Sequence, residues 1–303
     1  MEKFLVVIAG PTAVGKTKIA IELAKHYDTE ILSADSRQFY KELTIGTAKP
    51  SKTELESIKH HFIDSISIHE SYSAGKFEKE SLVLLEQLFG KQDLVFLVGG
   101  SGLFIDAVCE GFDDGLQLDP HIRKELIEKF QENGIDYLQQ QLKELDPDYF
   151  LKVDQKNPQR LIRAIEVCLS TGKTYSSLLS GASKKRSFQI LKILINTDRE
   201  TVYNKINLRV DEMIREGLIE EAKDNYSNKH LNALNTVGYK ELFDYLENKC
   251  SLEEAIDKIK QNTRRFAKRQ LNWFRNDENY TAFRPDQKDQ IITFIDFVRQ
   301  NWQ

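Results

Sequence analysis

The chain has 303 residues, 43 Lys and Arg against 47 Asp and Glu, and three cysteines far apart, Cys109, Cys168 and Cys250. That length holds one large domain or two modest ones, and the near balance of charge confines any nucleic-acid surface to a local basic patch. The cysteine spacing suggests neither a zinc site nor a disulfide framework, no apolar run is long enough to span a bilayer, and the strand beginning almost at once leaves no room for a leader; the expectation is a soluble cytoplasmic protein with no membrane association.

Phe4 to Ala9 is an apolar, β-rich run that reads as a buried parallel strand. It is followed by Gly10-Pro11-Thr12-Ala13-Val14-Gly15-Lys16-Thr17, and then by Ile19, Ala20, Leu23 and Ala24 at helical spacing. Strand, glycine-bounded loop and Lys-Thr opening a helix is the context of a phosphate-binding loop. Gly10 and Gly15 permit turns that let backbone N–H groups converge on phosphate oxygens at a helix N-terminus. Lys16 adds a full positive charge, and the Thr17 hydroxyl can ligate a Mg²⁺ shared with the phosphates. The loop belongs to the nucleotide-binding, ATP-binding type and names neither the phosphate nor the reaction.

Thr29 to Ala34 reads as a second strand, with Asp35-Ser36-Arg37-Gln38 directly after it. Asp35 therefore stands at the carboxyl edge of the sheet beside the phosphate loop, where open α/β folds place their ligands. It is either a carboxylate acting on substrate or a helix N-cap or Mg²⁺-orienting group. Gly46 to Pro50 is a loop with one lysine, and His60-His61 is a pair whose side chains point in different directions with no completing ligands. Tyr72 to Phe77 precedes a helix ending near Phe89, and Leu94 to Val98 is another buried strand. Gly99-Gly100-Ser101-Gly102 follows it, where motor and switch ATPases and GTPases carry an Asp.

From Asp113 to Arg186 the texture turns charged and helix-forming, with starts at Asp119-Pro120 and Asn157-Pro158 and stops at Gly172 and Gly181. Arg160 and Arg163 lie one turn apart, with Arg123 on an earlier helix; they make either a solvated face or a cationic lid. Ile190 to Ile195 returns to the sheet, Arg209 to Met213 begins an amphipathic helix, and Val237 to Glu241 marks a break. In Thr263 to Arg275 five cations interleave with three aromatics, Phe266, Gln270 and Trp273 on one side and Arg264 and Lys268 on another. This is a solvated basic face or an RNA-docking one. The expected architecture is an α/β, P-loop NTPase-like parallel sheet core with a helical insertion domain and a helical C-terminal region. The core's first part spans 1–112, the insertion 113–187, and the core's completion with the C-terminal helices 188–303.

Taken in order, these motifs resemble the bacterial tRNA dimethylallyltransferases over nearly the whole chain. The resemblance rests on the Gly10 to Thr17 loop, Asp35-Ser36-x-Gln38-x-Tyr40, Gly46-Thr47-Ala48-Lys49-Pro50 and His60-His61-x-x-Asp64. It continues through Tyr72-Ser73-Ala74-Gly75-x-Phe77, Val98-Gly99-Gly100-Ser101-Gly102-Leu103-Phe104 and Asn157-Pro158-Gln159-Arg160-x-x-Arg163-Ala164. Val237-Gly238-Tyr239-Lys240-Glu241 and the run from Thr263 to Leu271 complete it. Val14 stands where the family commonly has a small residue, Ser101 where Thr is usual, and Phe104 and Phe266 where Tyr is usual.

The resemblance implies transfer of a dimethylallyl group from dimethylallyl diphosphate to the exocyclic amine of the adenine 3′-adjacent to the anticodon of tRNA. It implies a cytoplasmic monomer using Mg²⁺, held at Thr17. Gly10 to Thr17 and Arg209 would bind the diphosphate, with Lys16, Thr17 and Arg209 stabilising the leaving group, and Asp35 would be the base. Asp35, Ser36, Arg37, Gln38, Ser101, Arg123, Gln159, Arg160, Leu161, Ile162 and Arg163 match family positions that touch the anticodon stem-loop, and the insertion would face the tRNA. On the residues alone the strongest alternative is a P-loop small-molecule or nucleoside kinase, which shares the loop, an Asp base and an arginine-bearing lid.

Overall fold

The structure, a computed structural model, describes residues 2–111, 119–178 and 185–302. They fall into two compact units, Met1–Glu110 with Lys185–Gln303, and Gly111–Lys184. Asp113 and Gly181, expected near the insertion's boundary and at a helix stop, lie outside the described residues.

The larger unit begins with β1 (Phe4–Ala9), α1 (Lys16–His26), β2 (Ile31–Ala34), α2 (Lys52–Ser57) and the two-residue β3 (His60–His61). α3 (Ala74–Leu88), β4 (Leu94–Gly99) and α4 (Gly102–Glu110) follow. The smaller unit holds α5 (Pro120–Leu145), α6 (Pro147–Phe150), α7 (Pro158–Thr171) and α8 (Tyr175–Leu178). The chain then returns to the larger unit with β5 (Gln189–Ile195), α9 (Arg199–Glu216), α10 (Leu218–Asp224), α11 (Tyr239–Leu246), α12 (Leu252–Arg275), β6 (Tyr280–Phe283) and α13 (Lys288–Asn301).

Among the described residues the sheet has six strands, all parallel, in the order β3-β2-β4-β1-β5-β6. Period-2 alternation sends Leu5, Val7, Val95 and Leu97 into one apolar cluster and Phe4, Val6, Ile8, Phe96 and Ile193 into another. Because helices cover both faces, β1 reads as an unbroken apolar run. The first face is closed by residues of α3, α4, α10, α11 and α12 with Val210 of α9, the second by α1, α13, Val202 and Ile206 of α9 and Ala267 of α12.

Two expected boundaries move. β2 starts at Ile31, because Thr29 turns its hydroxyl onto the Leu94 carbonyl (2.5 Å). The helix expected from Arg209 begins ten residues earlier, at Arg199, where the Asp198 carboxylate accepts the Thr201 N–H (2.8 Å). Only Val202, Ile206 and Val210 of that helix are buried, too thin a stripe to mark its first turns.

In the smaller unit Asp119 caps α5 and Asn157 caps α7, each followed by proline, as the sequence suggests. α5 breaks at Gly134, whose positive φ interrupts the helix. Leu126, Leu138, Leu142, Leu161, Ile162 and Ile165 make this unit's own core. Among the described residues no helix is long and apolar enough to cross a membrane.

Candidate active site at the carboxyl edge of the sheet

Ala9 of β1 pairs with Gly99 of β4, and Ala34 of β2 pairs with the same Gly99. The loops leaving these three strands therefore emerge at one edge: Gly10–Gly15, Asp35–Gln38 and Gly100–Ser101.

The first loop leaves β1 so close to β5 that a Cβ at Gly10 would lie 2.4 Å from the Ile195 carbonyl oxygen. Gly15 (φ 109°) caps α1 with backbone only, and no acidic residue occupies the first turn of α1. The first N–H groups of that helix thus meet no competing carboxylate in that turn, and the helix end favours an anion. Lys16 bends back so that its Nζ donates to the Pro11 carbonyl (2.8 Å). Burial lowers its pKa to about 8, against the pull of Asp35 and with a smaller push from Arg209. Arg209 reaches in from α9, its guanidinium donating to the Thr12 hydroxyl (3.4 Å), and burial lowers its pKa also.

Not every group of this loop stays free for a ligand. The Thr12 N–H, expected among the diphosphate donors, donates instead to Oε1 of Gln270 (2.8 Å). Val14 is fully buried, a core residue rather than a ligand side chain. The Thr17 hydroxyl makes no hydrogen bond among the described residues, so it is open to a metal or phosphate. Those residues hold no cluster of three or more His, Cys, Asp or Glu placed for a metal; a Mg²⁺ here would take most of its ligands from phosphate and water, which suits that ion.

Asp35 begins a turn, not a helix, so it is no helix cap. Its Oδ1 accepts the Arg37 N–H (3.1 Å). Burial raises its pKa, opposed by that N–H and by the charges of Lys16 and Arg37. The turn is secured from both ends. The Ser101 hydroxyl accepts the Ser36 N–H (3.1 Å) and donates to the Ser36 hydroxyl (3.2 Å). The Arg37 guanidinium donates to the carbonyls of Asn232 (2.8 Å) and Ala233 (3.2 Å).

Gln38, expected among the tRNA contacts, has its amide occupied. Nε2 donates to the carbonyls of Thr47 and Ala48, and Oε1 accepts from the Ser33 hydroxyl. The Gly46 to Pro50 loop it holds is gripped from the other side by Glu221, whose carboxylate accepts the N–H groups of Thr44, Ile45 and Gly46 (2.9 Å each) and the Tyr239 hydroxyl (2.5 Å). Gly46 is required there, because a Cβ would lie 2.6 Å from the Tyr239 ring. Lys49 pairs with Asp64 and donates to the Tyr40 carbonyl. His61 bonds Glu30 (2.5 Å) and His60 the Ile58 carbonyl (2.8 Å), each ring thus turned to its own partner.

In the smaller unit Arg123 and Arg163 converge on the buried Glu166, at 2.9 and 3.5 Å. Gln159 and Arg160 are exposed on α7. Leu161 and Ile162, expected among the tRNA contacts, are packed in that unit's core, so neither offers a side chain to RNA.

Residues 38–277 match the family model described as IPP transferase. This chain belongs to the IPP transferase family. It is 53% identical over 292 residues to the tRNA dimethylallyltransferase of Christiangramia forsetii, spanning 96% of this chain and 97% of that one. It is 50% identical over 300 residues to that of Flavobacterium johnsoniae, spanning 97% of each. The solved tRNA isopentenylpyrophosphate transferase of Bacillus halodurans has a TM-score of 0.71 at 38% identity, over 99% of this chain and 96% of that one. A eukaryotic dimethylallyltransferase acting on tRNA reaches 0.85 at 24% identity, over 98% and 80%, a likeness of fold.

What the sequence did not disclose in this IPP transferase is how α12 meets the edge. The glycines after β4 make room for it: a Cβ at Gly100 would lie 2.3 Å from Gln270 Nε2, and one at Gly102 2.3 Å from the Trp273 ring. Trp273 donates its indole N–H to Asp106 (2.9 Å). Phe104 joins the buried aromatic group of Phe39 and Phe77, and Phe266 lies half-exposed beneath the Arg269 guanidinium. Neither position needs a hydroxyl for these contacts.

Proposed function

We propose that the protein transfers a dimethylallyl group from dimethylallyl diphosphate to the exocyclic amine of the adenine 3′-adjacent to the anticodon of tRNA, releasing diphosphate. The observation that carries the reading is the convergence of one partly buried carboxylate, Asp35, with the cations Lys16 and Arg209 beside a helix N-terminus that has no side-chain cap. A kinase needs the same cradle, but the relatives named above are tRNA prenyltransferases.

The diphosphate sits at the start of α1, on Lys16, Arg209 and the loop N–H groups other than those of Thr12 and Val14, which donate to Gln270 and to the Pro11 carbonyl. As the allylic carbon–oxygen bond breaks, charge grows on the leaving oxygen, and cations fixed there favour the transition state over the bound donor. A Mg²⁺ at the Thr17 hydroxyl would supply further Lewis-acid neutralisation of that charge. The adenine amine is a poor nucleophile because its lone pair is delocalised into the ring. Asp35 accepts its proton as the nitrogen–carbon bond forms, a role worth about two to four powers of ten. Burial makes Asp35 a stronger base than an exposed carboxylate, while the Arg37 N–H and Lys16 favour its charged form in opposition. The target base leaves its stack to reach this edge.

Ser36, Arg37, Gln38 and Ser101 meet the flipped nucleotide with backbone and hydroxyl groups, and Gln159, Arg160, Arg163 and Arg123 meet the stem-loop. The protein works as a cytoplasmic monomer. Incubation with unmodified tRNA, Mg²⁺ and dimethylallyl diphosphate, followed by nucleoside mass analysis, gives adenosine heavier by one dimethylallyl group. No mass shift, with ATP consumed when a small acceptor is added, overturns the reading in favour of a kinase.

A further inference from the structure

Gln270 is one of the few buried polar side chains of the larger unit, 7% exposed on α12. Its amide bridges two segments remote from it and from each other: Oε1 accepts the Thr12 N–H (2.8 Å) and Nε2 donates to the Gly100 carbonyl (2.9 Å). The assignment of O and N is forced, because the backbone supplies a donor on one side and an acceptor on the other. At neutral pH, among side chains of this length, only the amide presents an acceptor and a donor back to back.

Both bridged segments belong to the site. Thr12 carries the hydroxyl on which Arg209 rests. Gly100 precedes Ser101, whose hydroxyl holds Ser36 next to Asp35, and whose N–H reaches the Ala34 carbonyl (3.3 Å). One continuous hydrogen-bonded path therefore runs from Arg209 and the phosphate loop, through Gln270, to the turn bearing Asp35. Gly100 is glycine because a Cβ would lie 2.3 Å from this amide.

We propose that Gln270 is a positioning residue for the transfer, fixing the spacing between the diphosphate cradle on Thr12 and Arg209 and the base-bearing turn at Asp35. This rests on the reading of the site as a prenyl-transfer centre. Such spacing matters because a displacement of about 1 Å between reacting groups costs on the order of 10²-fold in rate. Neither partner of Gln270 is a substrate group, so donor and tRNA affinity depend on it little.

The test compares wild type with Gln270→Leu, Gln270→Glu and Gly100→Ala. Gly100 has a negative φ, so its added methyl displaces the amide without straining the backbone. Single-turnover transfer, with enzyme in excess over tRNA, reports rate per competent site rather than the folded fraction; tRNA binding is measured separately. The expected result is a rate constant lowered on the order of 10²-fold in all three, with tRNA affinity retained. Because a protonated carboxyl again offers both acceptor and donor, the Gln270→Glu rate relative to wild type rises as pH falls, and the Gln270→Leu ratio stays flat. Unchanged single-turnover rates in the variants overturn the proposal, as does loss of tRNA binding in step with transfer. If Gln270→Leu and Gln270→Glu do not fold, Gly100→Ala alone decides it. A wild-type protein that moves no dimethylallyl group refutes the prenyl-transfer reading instead.

Discussion

The charge state of Lys16 couples donor binding to pH. Its buried ammonium has a pKa of about 8 in the free protein, with Arg209 nearby and Asp35 pulling the other way. A bound diphosphate favours the charged form and restores the ordinary value near 10.5, so above pH 8 binding takes up a proton. Linkage then sets the sign and size: affinity is flat below about pH 7 and falls as pH rises, by about tenfold or 1.4 kcal/mol between pH 7 and 9. The uptake itself climbs from about 0.1 proton at pH 7 to about 0.5 at pH 8 and 0.9 at pH 9. Calorimetric titration with dimethylallyl diphosphate, without tRNA, in buffers of different ionisation enthalpy measures it directly. Subtracting Lys16→Met removes the titration of the ligand's own phosphates. Equal proton uptake by wild type and Lys16→Met refutes the reasoning, because the proton then belongs to another group.

Asp35→Asn lowers transfer by about two to four powers of ten while tRNA binding persists; wild-type transfer falls as pH drops through a carboxyl pKa above the usual range, because the base is then protonated. Transfer and filter-binding assays on one preparation separate the two effects. Glu221→Ala removes the acceptor of three backbone N–H groups and of the Tyr239 hydroxyl, and urea unfolding should show a loss of about 3 kcal/mol. Arg163→Ala weakens tRNA binding with a shallower salt dependence, and an unchanged slope would remove it from the phosphate contacts; Arg123 remains to pair Glu166, so folding is little affected.

The parts of the site that sequence discloses are those made locally. Strand, loop and helix around Lys16 lie within two dozen residues, so their order alone places phosphate at a helix end. Asp35 follows β2 directly, and edge placement comes from parallel topology rather than from any one contact. Gln270 and Glu221 are different. Each lies on an amphipathic helix whose pattern shows which face is inward but not what the inward face meets. Gln270 was grouped with Phe266 and Trp273 by angle, yet it is buried while those two remain around 40% exposed. Likewise Leu161 and Ile162 lie between Arg160 and Arg163 in sequence and are turned inward by α7's periodicity. The glycines after β4 were legible as an absent Asp, but their positive use, admitting the side chains of α12, depends on a helix some 170 residues away.

The position of β1 in the sheet order has a consequence for synthesis. It lies between β4 and β5, and β5 follows everything in the smaller unit. At about 5–20 residues per second, the roughly 90 residues between β4 and β5, most of them in the smaller unit, take about 5–18 s to translate. For that interval the most apolar strand of the sheet has one unpaired edge. Such an edge is a template for wrong partners, so the nascent chain's dependence on holding chaperones is set by the length of the smaller unit's sequence rather than by the stability of the finished sheet.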